Sequence, residues 1–426
     1  MTGDPGGTEA APAAPLHLHR WTDRAVLAVA AAALASGFGQ FGAVAALGDV
    51  AKAFGQVTHG ATVADQAGLS GTRLGIGLAI IRLASLGALP ISGLADRWGR
   101  RRLLVGTVGL GLALTALAAA SPGYWWFVVI FACGRPLLSA TNAITEVAAA
   151  EHTDHDQRAR AVALVAAGYG IGAGLIAILH SLWIATLGFR SLFALALVPL
   201  LLLPLLARQL TEPDRFRLAE HGFPVLGAVG PRYRSRLAAI ALLAFAVSVV
   251  TGPANSFVFL YAQNILHLSG GVTAAMVAGA GAAGLIGLVI GRGLADRLGR
   301  RPAVAVGMIG LAGFGVLAYS GSPTALVTGY VLGVLSGSVL APGLGALVNE
   351  LFPTSVRASV GGWWVAAGVA GAAAGLVAFG ALADVGNRFA LAAGAVFLPA
   401  GVAATALLWL VPETKGREPE QLWRGT

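Results

Sequence analysis

The sequence predicts an all-α integral membrane protein of twelve transmembrane helices, arranged as two six-helix bundles that repeat in the same direction. Three observations carry that prediction. Hydrophobic residues make up 57% of the 426-residue chain and charged residues only 11%, against roughly 25% charged in a soluble domain. Twelve spans of about 20 residues need about 240 apolar positions, close to what that hydrophobic share supplies. The segment GLADRWGRR at 93–101 returns as GLADRLGRR at 293–301, with eight of nine residues identical. An offset that crosses six spans brings the chain back to the same side of the membrane. So apolar a chain has no polar shell for soluble domains, which excludes them.

Apolar runs bounded by charges and by Gly or Pro turns place spans near 24–47, 73–94, 102–120, 124–148, 158–184 and 189–208. Six more lie near 236–265, 272–292, 302–319, 324–350, 357–384 and 388–411. The N-terminal bundle is therefore expected over 24–208 after a cytoplasmic tail at 1–23, and the C-terminal bundle over 236–411 before a cytoplasmic tail at 412–426. Between them, 209–235 reads as a cytoplasmic linker carrying Arg215, Arg217, Arg232, Arg234 and Arg236. The first twenty residues lack a cationic start followed by an apolar run, so the first span serves as its own insertion signal.

With the N-terminus inside, 21 of the 28 Lys and Arg fall on the cytoplasmic side and four, Lys52, Arg73, Arg190 and Arg388, fall outside. This positive-inside bias predicts a multi-pass protein of the cytoplasmic membrane with both termini cytoplasmic. The net charge of +9 lies between the spans rather than on a folded basic face, so no nucleic-acid partner is expected.

Several chemistries drop out. The single Cys133 allows neither an internal disulfide nor a cysteine metal site. His17, His19, His152 and His155 lie in loops or the tail without metal-site spacing, and His180 stands isolated in the fifth span. GAGAAG at 279–284 spells the dinucleotide fingerprint but sits inside a span with no preceding strand. Like GYGIG from Gly168, GLVIG from Gly287, GVLSG from Gly333 and GAAAG from Gly371, it reads as small-residue spacing for close helix approach. Trp363 and Trp364 suit an interfacial aromatic belt. No cofactor, metal or ATP site is expected, no catalytic arrangement is visible, and the chain is read as a monomer rather than an enzyme or a built oligomer.

The repeated loops offer a gate. Gly93, Asp96, Arg97, Gly99 and Arg100 in the first half match Gly293, Asp296, Arg297, Gly299 and Arg300 in the second. Each set sits where an even-numbered span meets the cytoplasm. The glycines allow tight packing, Asp96 and Asp296 can cap a neighbouring helix N-terminus, and the arginines can pair with acids of adjacent loops. A second pair of repeats supplies those acids: Glu151 precedes Arg158 by seven residues, as Glu350 precedes Arg357. Such a cluster would latch the cytoplasmic ends of the bundles and break when they separate.

The two GLADR-x-GRR loops, the ELFPTSVR segment at 350–357, TEP at 211–213 and PETKG at 412–416 resemble the major facilitator superfamily over nearly the whole chain. PETKG and the Glu-to-Arg spacing are similar to its sugar-porter and metabolite:proton symporter branches. The resemblance implies two bundles around a central cavity, alternating access by rocking, and a ligand site near the midplane.

Ionisable side chains inside spans are costly and mark candidate sites. Arg82 lies 11 residues before Gly93, about 16 Å along a helix, near the middle of the bilayer. Its repeat counterpart is Ala282, so the duplicated scaffold does not demand it. Arg135 lies 16 residues before Glu151, on the order of 24 Å, and an arginine there often lines the cavity in the superfamily. Arg292 borders the loop motif and is expected to snorkel.

Two buried cations with few buried anions imply an anionic ligand. Glu146, the acid furthest inside a span, is the candidate proton carrier. Aromatic-acid symporters that the chain resembles around GFGQFG carry an acid in the first span where this chain has Gly39. In the seventh span, Gly252 and Pro253 are expected to interrupt the helix. Asn255, Tyr261 and Gln263 beyond them resemble the sugar-porter positions that meet substrate.

The expected function is secondary active transport of a small organic anion or polar metabolite, a carboxylate for instance, by proton-coupled symport. Drug/proton antiport and sugar transport are the alternatives. The fifth span reads GYGIGAGL from Gly168 and lacks the Gly-Pro element associated with antiporters.

Overall fold

The computed structural model describes residues 19–60, 62–213, 229–386 and 388–417. Among them lie twelve helices long and apolar enough to cross a membrane. In the first half these are Arg24–Ala45, Gly71–Ala95, Arg100–Ala120, Tyr124–His152, Asp156–Leu182 and Gly188–Gln209. The second half holds Pro231–Ile265, Gly270–Arg297, Arg300–Ala318, Pro323–Glu350, Ser359–Ala383 and Phe389–Leu410. They are numbered first to twelfth below. Most of the expected linker, with Arg215 and Arg217, and the tails at 1–18 and 418–426 lie outside the described residues.

Glycine sets the packing of the spans. A Cβ at Gly168 or Gly172 would lie 2.6 Å from Ala30 O or 2.0 Å from Leu34 O, so the fifth span meets the first backbone to backbone. Gly371 and Gly375 do the same in the other half, against Phe245 O at 2.2 Å and Val249 O at 2.3 Å. Helix pairs 1/5 and 7/11 are therefore equivalent contacts of a duplicated bundle, built on small-xxx-small spacing. Gly287 and Gly291 bring the eighth span equally close to Leu335 and Val339 of the tenth.

The seventh span departs from expectation in one detail. Its α-helix runs unbroken from Arg234 to Ser256 with Pro253 inside, and the irregularity comes later. A short turn at Val258–Leu260 leads into a π-helical turn at Tyr261–Ile265. Gly252 is a packing residue whose Cβ position is 3.0 Å from Ala372. Tyr319 donates its hydroxyl to the carbonyls of Pro253 and Ala254, at 3.3 and 3.1 Å.

The bundles meet at the face opposite the two arginine-rich loops. There Phe41 packs edge-on against Phe259, and Gly270 of the eighth span lies against Ser181 O of the fifth. Gly71 of the second span touches Gly380 of the eleventh, backbone to backbone. His180 is not isolated: its Nε2 lies 2.5 Å from Asp49 Oδ2, and its ring stands edge-on to Phe259. The structure is thus closed at this face.

Candidate functional site

At the arginine-rich face, each loop is tied down by two carboxylates with different tasks. Arg100 forks onto Glu151, Nε to Oε2 at 3.1 Å and Nη2 to Oε1 at 2.9 Å, a bidentate charge-assisted pair. Its counterpart Arg300 donates to Glu350 at 3.1 Å. The N-terminus of the ninth span is capped by Glu413 of PETKG, which accepts from the Arg300 and Arg301 N–H groups at 2.9 and 3.0 Å. Glu212 of TEP caps the third span in the same way, accepting from the N–H groups of Arg100 and Arg101.

The expectation that Asp296 caps a helix is therefore corrected. It lies within 4.0 Å of Arg292 and 3.8 Å of Arg300, one turn away on either side, while Glu413 holds the helix N-terminus. The side chain of Asp96 lies outside the described residues.

Gly99 and Gly299 are required twice over. Their φ values are 93° and 118°, a region that side chains disfavour. A Cβ on either would also lie 2.8 Å from the capping Glu212 or Glu413 oxygen. Gly293, by contrast, faces open space and is not a close-packing residue. Gly93 lies within the second span, and Arg97 and Arg297 are exposed at the span ends. Arg158 is exposed as well, and Arg357 donates to Phe352 O at 3.3 Å. The described partners of Glu151 and Glu350 are thus Arg100 and Arg300, not the arginines seven residues on.

The central cavity has two lobes that share Gln40, Arg82, Arg135 and Tyr169. One, of about 200 Å³, is walled by Phe41, Leu78, Phe131 and Leu376 and reaches Asn255 of the seventh span. The other, of about 350 Å³, runs past Ser139, Asn142 and Thr145 to Glu146. A separate cavity of about 240 Å³ in the second half is lined by Tyr319 and Tyr330 and also touches Asn255.

Arg82 and Arg135 line both lobes and repel one another. Neither forms an ion pair among the described residues. Arg135 Nη1 donates to Gln40 O at 3.3 Å, and its buried Nε finds no acceptor among the described residues. Glu146 is the acidic residue of the lining, exposed at the far end of the larger lobe.

Polar neighbours fix these groups. Ser36 donates to Leu138 O, at 2.8 Å, and also lies 2.8 Å from Asn142 Oδ1. Gln40 Nε2 donates to Ser36 at 2.7 Å. Gly39, where an acid is expected in relatives, faces away from the cavity. A Cβ there would lie 2.9 Å from Leu138 and 3.0 Å from Leu112, so the first span presents Gln40 instead.

Asn255 joins the cavities and donates to Thr251 O at 3.0 Å. Tyr261 lines none of the three. It is buried against Tyr319 and Phe389, with ring centroids 5.0 and 4.8 Å away, and donates to Tyr319 O. Gln263 lies in the π-helical turn beyond it, also outside the three linings. The later break in the seventh span places both beyond the cavity. Gln40 and Tyr169 were not singled out from the sequence, although Arg135, Ser139, Asn142 and Glu146 recur every three to four residues, the spacing of one helix face. Among the described residues, no group of three or more His, Cys, Asp and Glu could hold a metal.

A model of the Major Facilitator Superfamily matches residues 29–293 and 240–424. A Haemophilus influenzae protein named for metabolite transport is 27% identical over 353 residues, 78% of this chain and 85% of that protein. A gallate transporter of Pseudomonas putida is 27% identical over 366 residues, covering 76% and 80%. Among solved structures, the inward-open xylose transporter of E. coli superposes with a TM-score of 0.74 at 20% identity, covering 93% of this chain and 98% of that one.

Proposed function

We propose that this chain, which belongs to the Major Facilitator Superfamily, imports small organic carboxylates across the cytoplasmic membrane by proton-coupled symport. Membrane transport on a twelve-helix scaffold comes with the family. The substrate charge is read from one observation: Arg82 and Arg135 share a cavity and have no acidic partner among the described residues. Two guanidinium groups in a low-dielectric site need compensation, and a ligand carboxylate between them supplies it. The apolar wall of Phe41, Leu78 and Phe131 suits a ring or short hydrocarbon on the same ligand. The gallate transporter, similar over most of both chains, supports an aromatic carboxylate.

The cycle follows from the charges. Both arginines belong to the first bundle, so without ligand it is the cost of shutting two unpaired guanidinium groups away from water that opposes closure of the second bundle over them. A bridging carboxylate compensates that charge and stabilises the occluded state relative to the open one. Glu146, at the end of the larger lobe, carries the proton and discharges it where the lobe opens. The positive-inside bias of the loops makes the arginine-rich face cytoplasmic, so the closed face is the outer one and the structure faces inward. Arg100 pairs with Glu151 inside the first bundle and Arg300 with Glu350 inside the second. Both pairs stay formed with the cytoplasmic side open, so they brace the cytoplasmic end of each bundle, against which the gate works, and do not tie one bundle to the other.

The test is uptake in proteoliposomes of benzoate, hydroxybenzoates and xylose under an imposed proton gradient. Gradient-driven uptake of the carboxylates, lost in Arg82→Gln and Arg135→Gln, supports the reading. Uptake of xylose alone, or carboxylate uptake indifferent to both substitutions, overturns it.

A further inference from the structure

The second span begins at Gly71, where the first N–H groups of a helix have no partner within it. Ser70 accepts from the Arg73 N–H at 3.2 Å, an ordinary N-cap. The two N–H groups before it are taken by the other bundle. Asp384, at the end of the eleventh span, accepts from the Gly71 N–H at 2.6 Å through Oδ1 and from the Thr72 N–H at 2.8 Å through Oδ2. The Thr72 hydroxyl also donates to Oδ2, at 2.5 Å. One carboxylate thus receives three hydrogen bonds at the positive end of a helix dipole, across the seam between the halves.

Backbone contact extends the junction inward. A Cβ at Gly380 would lie 2.2 Å from Gly71 O, and one at Gly75 would lie 2.4 Å from Leu376 O. Leu376 then walls the cavity beside Leu78 and Arg82. The seam held by Asp384 is therefore the lid over the arginine site, and the helix it grips carries Arg82 eleven residues further on, about 16 Å away.

We propose that Asp384 is the outer latch of the transport cycle, a positioning residue whose grip on Gly71 and Thr72 keeps the cavity closed from outside and whose release admits ligand. Opening that face must separate Gly71 from Gly380 and return both the carboxylate and the helix N–H groups to water. The latch thus sets the balance between inward- and outward-facing states. This assignment of sides rests on the sidedness given above; the contact itself does not.

The test needs no ligand. A reporter cysteine is placed at Val44, which lines the smaller lobe, in a Cys133→Ser background. It is labelled with a membrane-impermeant maleimide in right-side-out and inside-out vesicles. Asp384→Asn removes the charge and leaves one acceptor oxygen. It is expected to raise labelling from outside by roughly tenfold, the order of one charge-assisted bond lost, and to slow labelling from inside. Thr72→Val, which removes one donor of three, shifts both rates the same way by less. Unchanged rates overturn the latch, and so does faster labelling from both sides, which reports a loosened fold. A reciprocal change with the sides exchanged supports the latch and reverses the topology.

Discussion

Glu212 and Glu413 occupy equivalent posts in the two halves, each accepting hydrogen bonds from the first two backbone N–H groups of an odd-numbered span. Each stands behind a glycine of positive φ that leaves room for the carboxylate. In the second half the tail does more: Lys415 donates to the Arg297 carbonyl at the end of the preceding span. One short segment thereby closes both ends of the loop between the eighth and ninth spans.

The cap has a pH signature. Burial pushes the Glu413 carboxyl up, but four backbone N–H donors, from Lys415, Arg300, Arg301 and Thr414, bring it to a net value below its usual 4.5. A folded value below the unfolded one stabilises the protein fully above 4.5 and loses that contribution as pH falls through the depressed value. Glu413→Gln is expected to cost about 1 kcal/mol at neutral pH. In detergent melts, the difference from wild type should shrink below pH 4.5.

Removing one partner of a largely buried ion pair is costly, because the remaining charge loses its compensation. Glu151→Gln removes the bidentate carboxylate from Arg100, which is 6% exposed, and should reduce transport at least tenfold with the protein still inserted. Asp96→Asn at the same loop should have the same sign. Initial uptake rates normalised to the amount of inserted protein check both.

The spans were legible in the sequence because hydropathy is local, and the two Gly pairs at the 1/5 and 7/11 contacts, Gly168 with Gly172 and Gly371 with Gly375, were legible because their spacing is. Arg82 and Arg135 stood out as charges that hydrocarbon does not tolerate without cause. Gln40 and Tyr169 did not, since a lone Gln or Tyr in a span is common and only the tertiary fold turns these toward the arginines. Asp384 was hidden for the same reason: its partners at Gly71 and Thr72 lie 313 and 312 residues away. Pro253 misled because a proline inside a span need not end its helix, and here the helix runs on to Ser256.

Gly39 shows why a family pattern does not transfer residue by residue. Its Cβ direction points at Leu138 and Leu112. Gly39→Asp is expected to destabilise the protein by at least about 1–3 kcal/mol through overpacking, with burial of the charge adding to it, and not to confer coupling. A lower melting temperature and a reduced folded yield on size exclusion check this.

Glu146→Gln should separate coupling from binding. Counterflow, which needs no net proton movement, is expected to persist, while accumulation driven by an imposed pH gradient falls to the level set by the substrate gradient. Loss of both would make Glu146 a structural or binding residue.

The most direct test of the account is equilibrium binding of benzoate and benzamide to the purified protein, wild type against Arg82→Gln and Arg135→Gln. Benzoate is expected to bind and benzamide not to, and each substitution to weaken benzoate at least tenfold, about 1.4 kcal/mol. Equal affinity for acid and amide, or benzoate binding that survives both substitutions, would contradict a carboxylate held between Arg82 and Arg135.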